Sequence, residues 1–191
     1  SRFNSEVIFH HHMMFANMLY PSENIVDEVL LNSYASDDTR RSLFFYEGDG
    51  AIRFKGSYDG SFYLFNGLAI DECLLTQAEC LARLGNPSSA ITVLENYLAN
   101  RIGSQPNLTE FAATSESALN VILEERRKSL LFRGIRWMDL RRLNLNDQTA
   151  TIIQRDIDGE QFKLEPNHPN YALPIPPEEI TLSGIKQNER L

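Results

Sequence analysis

The chain has 191 residues, with 18 Lys and Arg against 26 Asp and Glu, a formal charge of −8, and 42% hydrophobic residues. That apolar share supports a folded core and excludes global disorder. The acidic balance excludes a general nucleic-acid binder, which would carry a basic face, and is compatible with a neutral polar ligand such as a sugar. No apolar run approaches the roughly 20 residues that a membrane-spanning helix needs. No signal peptide opens the chain, and Ser1-Arg2-Phe3-Asn4 reads as the interior of a longer protein.

Glu6-Val7-Ile8-Phe9 is strand-like and leads into His10-His11-His12. Neighbours on a strand alternate faces, so at most two of these imidazoles converge, and the run reads as a polar loop. Ile25, Val26, Val29 and Leu30 recur at helical spacing between Asn24 and Tyr34, with Ser22 as the N-cap. Ser36-Asp37-Asp38-Thr39 is a turn cluster, and Arg40 to Phe45 reads as a strand. The acidic pair Asp37-Asp38 is too sparse to define a cation site.

Eight of the nineteen aromatics fall between Phe44 and Phe65, punctuated by glycines 48, 50, 56 and 60. Such a stretch makes short strands and loops, and most of its rings belong to a core. Rings left at the surface can stack on the C–H faces of sugars while the hydroxyls stay available for hydrogen bonds. On this composition Tyr58, Phe62 and Tyr63 are the candidate ligand-binding residues.

Leu68 to Leu84 is amphipathic at helical spacing, Gly85 suits the C-cap, and Pro87 opens a second helix that runs to about Arg101. The two form an αα-hairpin. Ala78…Leu84-Gly85…Ala90…Leu94 has the small-residue spacing of a tetratricopeptide unit. One such unit cannot bury its face alone, so partner helices are expected from a missing N-terminal half. Cys73 and Cys80 lie seven residues apart on this helix. That is about 10 Å, beyond disulfide reach, and both read as small buried hydrophobes.

Asn107-Leu108-Thr109 fits a glycosylation sequon, a pattern common by chance. Thr114 or Ser115 caps the next helix, whose apolar side carries Leu119, Ile122, Leu123, Leu130 and Leu131. Its continuation, Glu125 to Arg142, sets seven cations and two carboxylates around the single tryptophan. Such a segment buries one face and pairs its charges on the other. Gly134 marks a bend; Arg136 and Asp139 are three apart and can meet; Trp137 and Leu140 share a face expected to be buried.

Asp158-Gly159 between two extended runs signals a β-hairpin. The prolines at 174, 176 and 177 deny the tail a regular helix, so residues 171–180 are expected to run extended, anchored by Tyr171, Leu173 and Ile175. Catalytic signatures are missing: the sequence has no nucleophile elbow, HExxH, CxxC, phosphate loop or dinucleotide fingerprint. A binding module is therefore favoured over an enzyme, with no cofactor and no metal implied. A glycoside hydrolase is the minor alternative, because nothing singles out two of the carboxylates as a catalytic pair.

Several separated motifs resemble the SusD/RagB family in the same order. They are Tyr34…Asp37-Asp38-Thr39-Arg40-Arg41, Arg53-Phe54-Lys55-Gly56-Ser57-Tyr58, the helical Asp71-Glu72…Ala78-Glu79…Leu84-Gly85, and the Glu125–Arg142 signature. Tyr171…Pro174-Ile175-Pro176…Glu179-Ile180 and Gly184-Ile185-Lys186-Gln187-Asn188 complete the series. The family pattern often has glutamates where this chain has Ser129 and Arg133.

The likeness implies a mainly α, SusD-like fold with tetratricopeptide-like αα-hairpins, irregular loops and a small β-hairpin, residues 1–191 forming the C-terminal portion of a longer domain. It also implies a surface-exposed outer-membrane lipoprotein, anchored through a lipid on the missing N-terminus. Such a protein captures an oligosaccharide or polysaccharide and delivers it to a TonB-dependent transporter. The alternative is a peptide- or protein-binding tetratricopeptide-like module. The matched motifs resemble scaffold, so the resemblance assigns no ligand residue.

Overall fold

The computed structural model describes residues 4–13, 24–58, 60 and 63–190. They form two compact units, residues 1–136 and 137–191. The fold is mainly α with small two-stranded sheets.

In the first unit β1 (Val7–Phe9) and β2 (His12–Met13) pair antiparallel with Leu68–Ala69 and Leu64–Phe65, respectively. Two of the three imidazoles do meet: the His10 and His12 rings lie edge to face, centroids 4.4 Å apart. Helix α1 (Glu28–Asn32) is a single turn, capped by Asp27, whose carboxylate accepts from Leu30 N at 3.0 Å. The expected cap, Ser22, lies outside the described residues. Val26 and Leu30 are buried, whereas Ile25 and Val29 face solvent.

The expected strand from Arg40 is instead helix α2 (Thr39–Phe44). Asp38 accepts from Arg40 N at 3.0 Å and so satisfies an orphan donor of the first turn. Pairing starts only at Phe45, where β3 (Phe45–Gly48) meets β4 (Ala51–Phe54) with Phe45 opposite Phe54. Strands β5 (Leu64–Phe65) and β6 (Leu68–Ala69) then lead into helix α3 (Ile70–Arg83).

Gly85 (φ +80°) ends α3, and Pro87 begins α4 (Pro87–Leu98), as the hairpin pattern requires. Thr114 caps α5 (Ser115–Ser129) by accepting from Ser117 N. The principal core lies among α3, α4 and α5. Ala78, Ala82, Ala90 and Ala118 are fully buried there and let the helices approach around Leu75, Leu94, Leu98 and Ile122. A second cluster gathers Val26, Leu30, Tyr34, Phe45, Phe54 and Leu64, and Phe132 stacks on Phe54 at 4.5 Å.

Cys73 and Cys80 correct the expectation of burial: both are exposed free thiols. The buried stripe of α3 is Asp71, Leu75, Ala78, Glu79 and Ala82. The cysteines share the opposite face, because positions seven apart align on a helix.

The second unit contains α6 (Arg136–Leu143), the hairpin of β7 (Ile153–Ile157) with β8 (Glu160–Leu164), and α7 (Pro177–Ser183). Asp158 and Gly159 both have positive φ (55° and 85°), as a two-residue hairpin turn demands. Trp137 is 36% exposed, against the expectation of burial. Its ring packs on Tyr171, 4.9 Å between centroids, and its Nε1 donates to Tyr171 O at 3.0 Å. An indole that keeps a polar contact at the surface satisfies its N–H without entering the core.

Asp139 pairs with Arg142 at 2.9 Å. Tyr171 anchors the tail, but Leu173 is 72% exposed. The tail is held through its backbone: Gln187 Oε1 accepts from Ile175 N (2.8 Å) and Gln187 Nε2 donates to Ile175 O (3.0 Å). The prolines end the extended run without preventing a helix after them, since Pro177 occupies the first turn of α7, where no N–H is missed.

Candidate ligand-binding cleft

Two buried charge networks form the base of the first unit. In one, the Arg40 guanidinium, 2% exposed, donates to Asp38 Oδ1 and Oδ2 (2.9 and 2.6 Å), Glu125 Oε2 (2.7 Å) and Ser129 Oγ (2.8 Å). Lys128 also pairs with Glu125, and Tyr34 Oη donates to Lys128 O at 2.7 Å. Burial alone would lower the Arg40 pKa; the Asp38 hydrogen bonds and the Glu125 charge outweigh it and raise it above the ordinary arginine value. Burial likewise raises the Tyr34 phenol above its usual range.

In the other network Arg133, 4% exposed, donates to Asp71 Oδ1 (3.1 Å), Glu72 Oε2 (2.7 Å), Gly67 O (2.7 Å) and Tyr58 Oη (3.1 Å). Tyr58 Oη in turn donates to Asp71 Oδ2. Burial pushes the Tyr58 phenol well above its usual value, and the neighbouring Asp71 carboxylate adds to the shift. Ser129 serves Arg40, and Arg133 neutralises the start of α3.

A cleft of about 610 Å³ opens above both networks. Arg40, Ser129, Tyr58, Asp71 and Tyr97 reach it from below. Its walls present Asn4, Ser5, Glu6, Thr39, Lys55, Ser57, Asn100 and Arg101, with Leu43 and Phe44 as the apolar part. The wall charges are largely engaged. Arg101 Nη2 contacts both oxygens of Glu6 at 2.7 Å, its guanidinium lies 4.0 Å over the Tyr97 ring, and Lys55 Nζ donates to Ser42 O at 2.6 Å. Asn4 is engaged too, its Nδ2 donating to Tyr58 O at 3.0 Å and its Oδ1 accepting from Glu6 N at 2.9 Å, so what remains is the Asn100 amide, the Ser57 hydroxyl and paired-charge edges over an apolar step, within the size range of small-ligand sites. This suits a hydroxyl-rich ligand, which both donates and accepts.

The structure places the sequence candidates differently from one another. Tyr58 lines the cleft with its hydroxyl committed to Asp71 and Arg133 and its ring against Phe65 at 4.2 Å. Tyr63 is half-exposed outside that lining, stacked on His12 at 5.8 Å. Phe62 lies outside the described residues. Sequence reasoning missed Asn4, Glu6, Asn100 and Arg101. Their only signal was position: the ends of β1 and α4 converge on the turn before α2, where Thr39 Oγ1 donates to Arg101 O at 2.8 Å.

Asp37 and Asp38 are both engaged within the chain. Asp38 holds Arg40. Asp37 accepts from the Ser104 hydroxyl and backbone N–H, which keep its carboxyl below the usual range. Among the described residues no group of three His, Cys, Asp or Glu is placed to hold a metal ion, and no helix is long and apolar enough to cross a membrane.

The model of the SusD family matches residues 70–190, and the chain belongs to that family. Among solved structures it is similar to a SusD-like carbohydrate binding protein from Bacteroides vulgatus (18% identity, TM-score 0.63, covering 96% of this chain and 48% of that one). It is also similar to a SusD superfamily protein from Bacteroides fragilis (20%, 0.71, 95% and 45%) and to a SusD-like protein from the same species (20%, 0.60, 97% and 54%). At such identities the likeness is one of fold, and the chain spans about half the length of these relatives. Comparison with curated proteins gives no match.

Proposed function

We propose that this chain is part of a glycan-binding protein, not an enzyme, that captures oligosaccharides at the cell surface. The observation that carries the reading is the cleft over the two charge networks. Its walls combine the Asn100 amide, the Ser57 hydroxyl, and an apolar step at Leu43 and Phe44. Membership in the SusD family supports the same conclusion, as does the carbohydrate-binding protein of like fold. The sequence resemblance supports the finer steps: attachment to the outer membrane through a lipid anchor on a preceding segment, and delivery of the glycan to a TonB-dependent transporter.

Affinity gel electrophoresis against plant, host and microbial polysaccharides tests the reading. The expected result is retardation by at least one polysaccharide, little changed by salt, because neutral hydrogen bonds and apolar stacking are weakly screened. Asn100→Ala, which removes an amide from the wall, is expected to weaken it by about 1 kcal/mol, several-fold in affinity. Migration unaffected by every polysaccharide would overturn the proposal.

A further inference from the structure

The second unit carries its own cleft, about 540 Å³, between the C-terminal end of α6 and the turn at Pro169–Tyr171. Its chemistry is one-sided. Arg141, Arg142 and His168 line it, and no carboxylate does among the described residues, although the chain as a whole carries −8. Arg142 is paired with Asp139 through Nε, whereas Arg141 makes no ion pair among the described residues. His168 Nδ1 accepts from Asn170 N at 3.1 Å, which leaves Nε2–H as the ring's donor.

A second observation points the same way. Asn144 Nδ2 and Tyr171 Oη, on two lining residues that are themselves 2% and 5% exposed, are buried without a hydrogen-bond partner among the described residues. Buried polar atoms are ordinarily paired. Here the amide oxygen of Asn144 is used, accepting from Thr151 N at 2.9 Å, so the atom left over is the donor. Arg141 is thus a lining cation with no ion pair among the described residues, and the neighbouring Asn144 keeps a buried amide donor without an acceptor among them.

We propose that this cleft binds the carboxylate of an acidic sugar, a uronic acid residue, with Arg141 as its principal contact. A guanidinium presents two parallel N–H groups that match the two oxygens of a carboxylate. The exposed side chains of Met138 and Leu145 flank the charge with apolar surface for the sugar ring. The inference rests on the glycan-binding reading and adds to it a site and a sugar class.

Isothermal titration of the chain with trigalacturonate, a neutral trisaccharide and inorganic phosphate tests it. The expected result is binding of trigalacturonate that weakens with salt, with phosphate and the neutral sugar weaker. Arg141→Gln is expected to lower the trigalacturonate affinity about tenfold, and Arg141→Lys to restore it only in part, the fork being lost. Arg141 is exposed, so these variants fold, and Arg155→Gln on the β7–β8 hairpin is the control expected to change nothing. Equal response to the acidic and neutral sugars, an unchanged Arg141→Gln, or stronger binding of phosphate would overturn the inference. Retardation by neutral polysaccharides without any response to trigalacturonate overturns it and leaves the glycan reading standing; silence toward every saccharide overturns both.

Discussion

The Arg133 guanidinium lies 3.1 Å from Asp71 Oδ1 and joins the turn after α5 to the first turn of α3 across 62 residues of sequence. Both side chains are buried. Truncating one partner of such a pair leaves a charge without solvent or counter-charge. Arg133→Ala is therefore expected to destabilise the chain by about 3–5 kcal/mol, measured by urea denaturation. Arg133→Lys should recover part of this, because one ammonium cannot reach Asp71, Glu72 and Gly67 O together. A loss below about 1 kcal/mol would mean that Asp71 finds another partner.

Tyr34, Tyr58 and Tyr97 share a shift in one direction, each phenol raised chiefly by burial. A raised phenol favours the neutral form in the native state. Their contribution is complete below the unfolded value of about 10 and falls as pH rises beyond it, since the unfolded chain then releases protons that the native chain keeps. Spectrophotometric titration should show these three of the seven tyrosines ionising only as the protein unfolds, with stability declining above about pH 10. Full phenolate absorbance from a still-native chain would contradict the packing around them.

Local rules reached as far as the helices and turns. The α3–α4 hairpin, with Gly85 and Pro87 at its joint, the Thr114 cap and the Asp158-Gly159 turn each depend on residues adjacent in sequence, and all were legible. Arg40 was not, because its helix depends on Asp38 as a cap and on Glu125, 85 positions away, as a partner. The cysteines were misplaced because the apolar residues of α3 outnumber its buried stripe, and only packing against α4 and α5 selects the face. The cleft was the least legible part: Asn4, Thr39, Lys55 and Asn100 come from four separate stretches of chain and share no periodicity.

Gly67 closes the approach of β1 to the loop between β5 and β6. A Cβ there would stand 2.0 Å from Phe9 O and 2.9 Å from His11 N, both backbone atoms that cannot swing aside. Its own carbonyl receives Arg133 Nη2. Gly67→Ala is expected to cost at least about 1–3 kcal/mol, the range for overpacking, and to loosen the β1–β6 and β2–β5 pairs. Thermal melting checks the magnitude, and faster amide exchange at Asn66 and Ile70, which donate to His11 O and Glu6 O, checks the location. An unchanged melting temperature would show that this approach is looser than the structure has it.

Gln187 pairs with Ile175 as a strand would, taking its N–H and supplying its carbonyl with a donor through one side-chain amide. Asn188 and Arg190 add side-chain hydrogen bonds to Leu173 O and Ala172 O. Among the described residues the extended segment has no sheet partner, and these side chains take the place of a ladder. Gln187→Ala should leave global stability almost unchanged, about 0.5–1.5 kcal/mol at most, because the contacts are exposed and water can replace them. The local effect should be larger: the Ile175 amide, hydrogen-bonded to Gln187 Oε1, is expected to exchange with solvent many-fold faster in the variant, and protease cleavage should increase between residues 172 and 176. Hydrogen exchange resolved by residue decides the point, and an Ile175 amide equally protected in the variant would assign the order of the tail to Tyr171 and α7 instead.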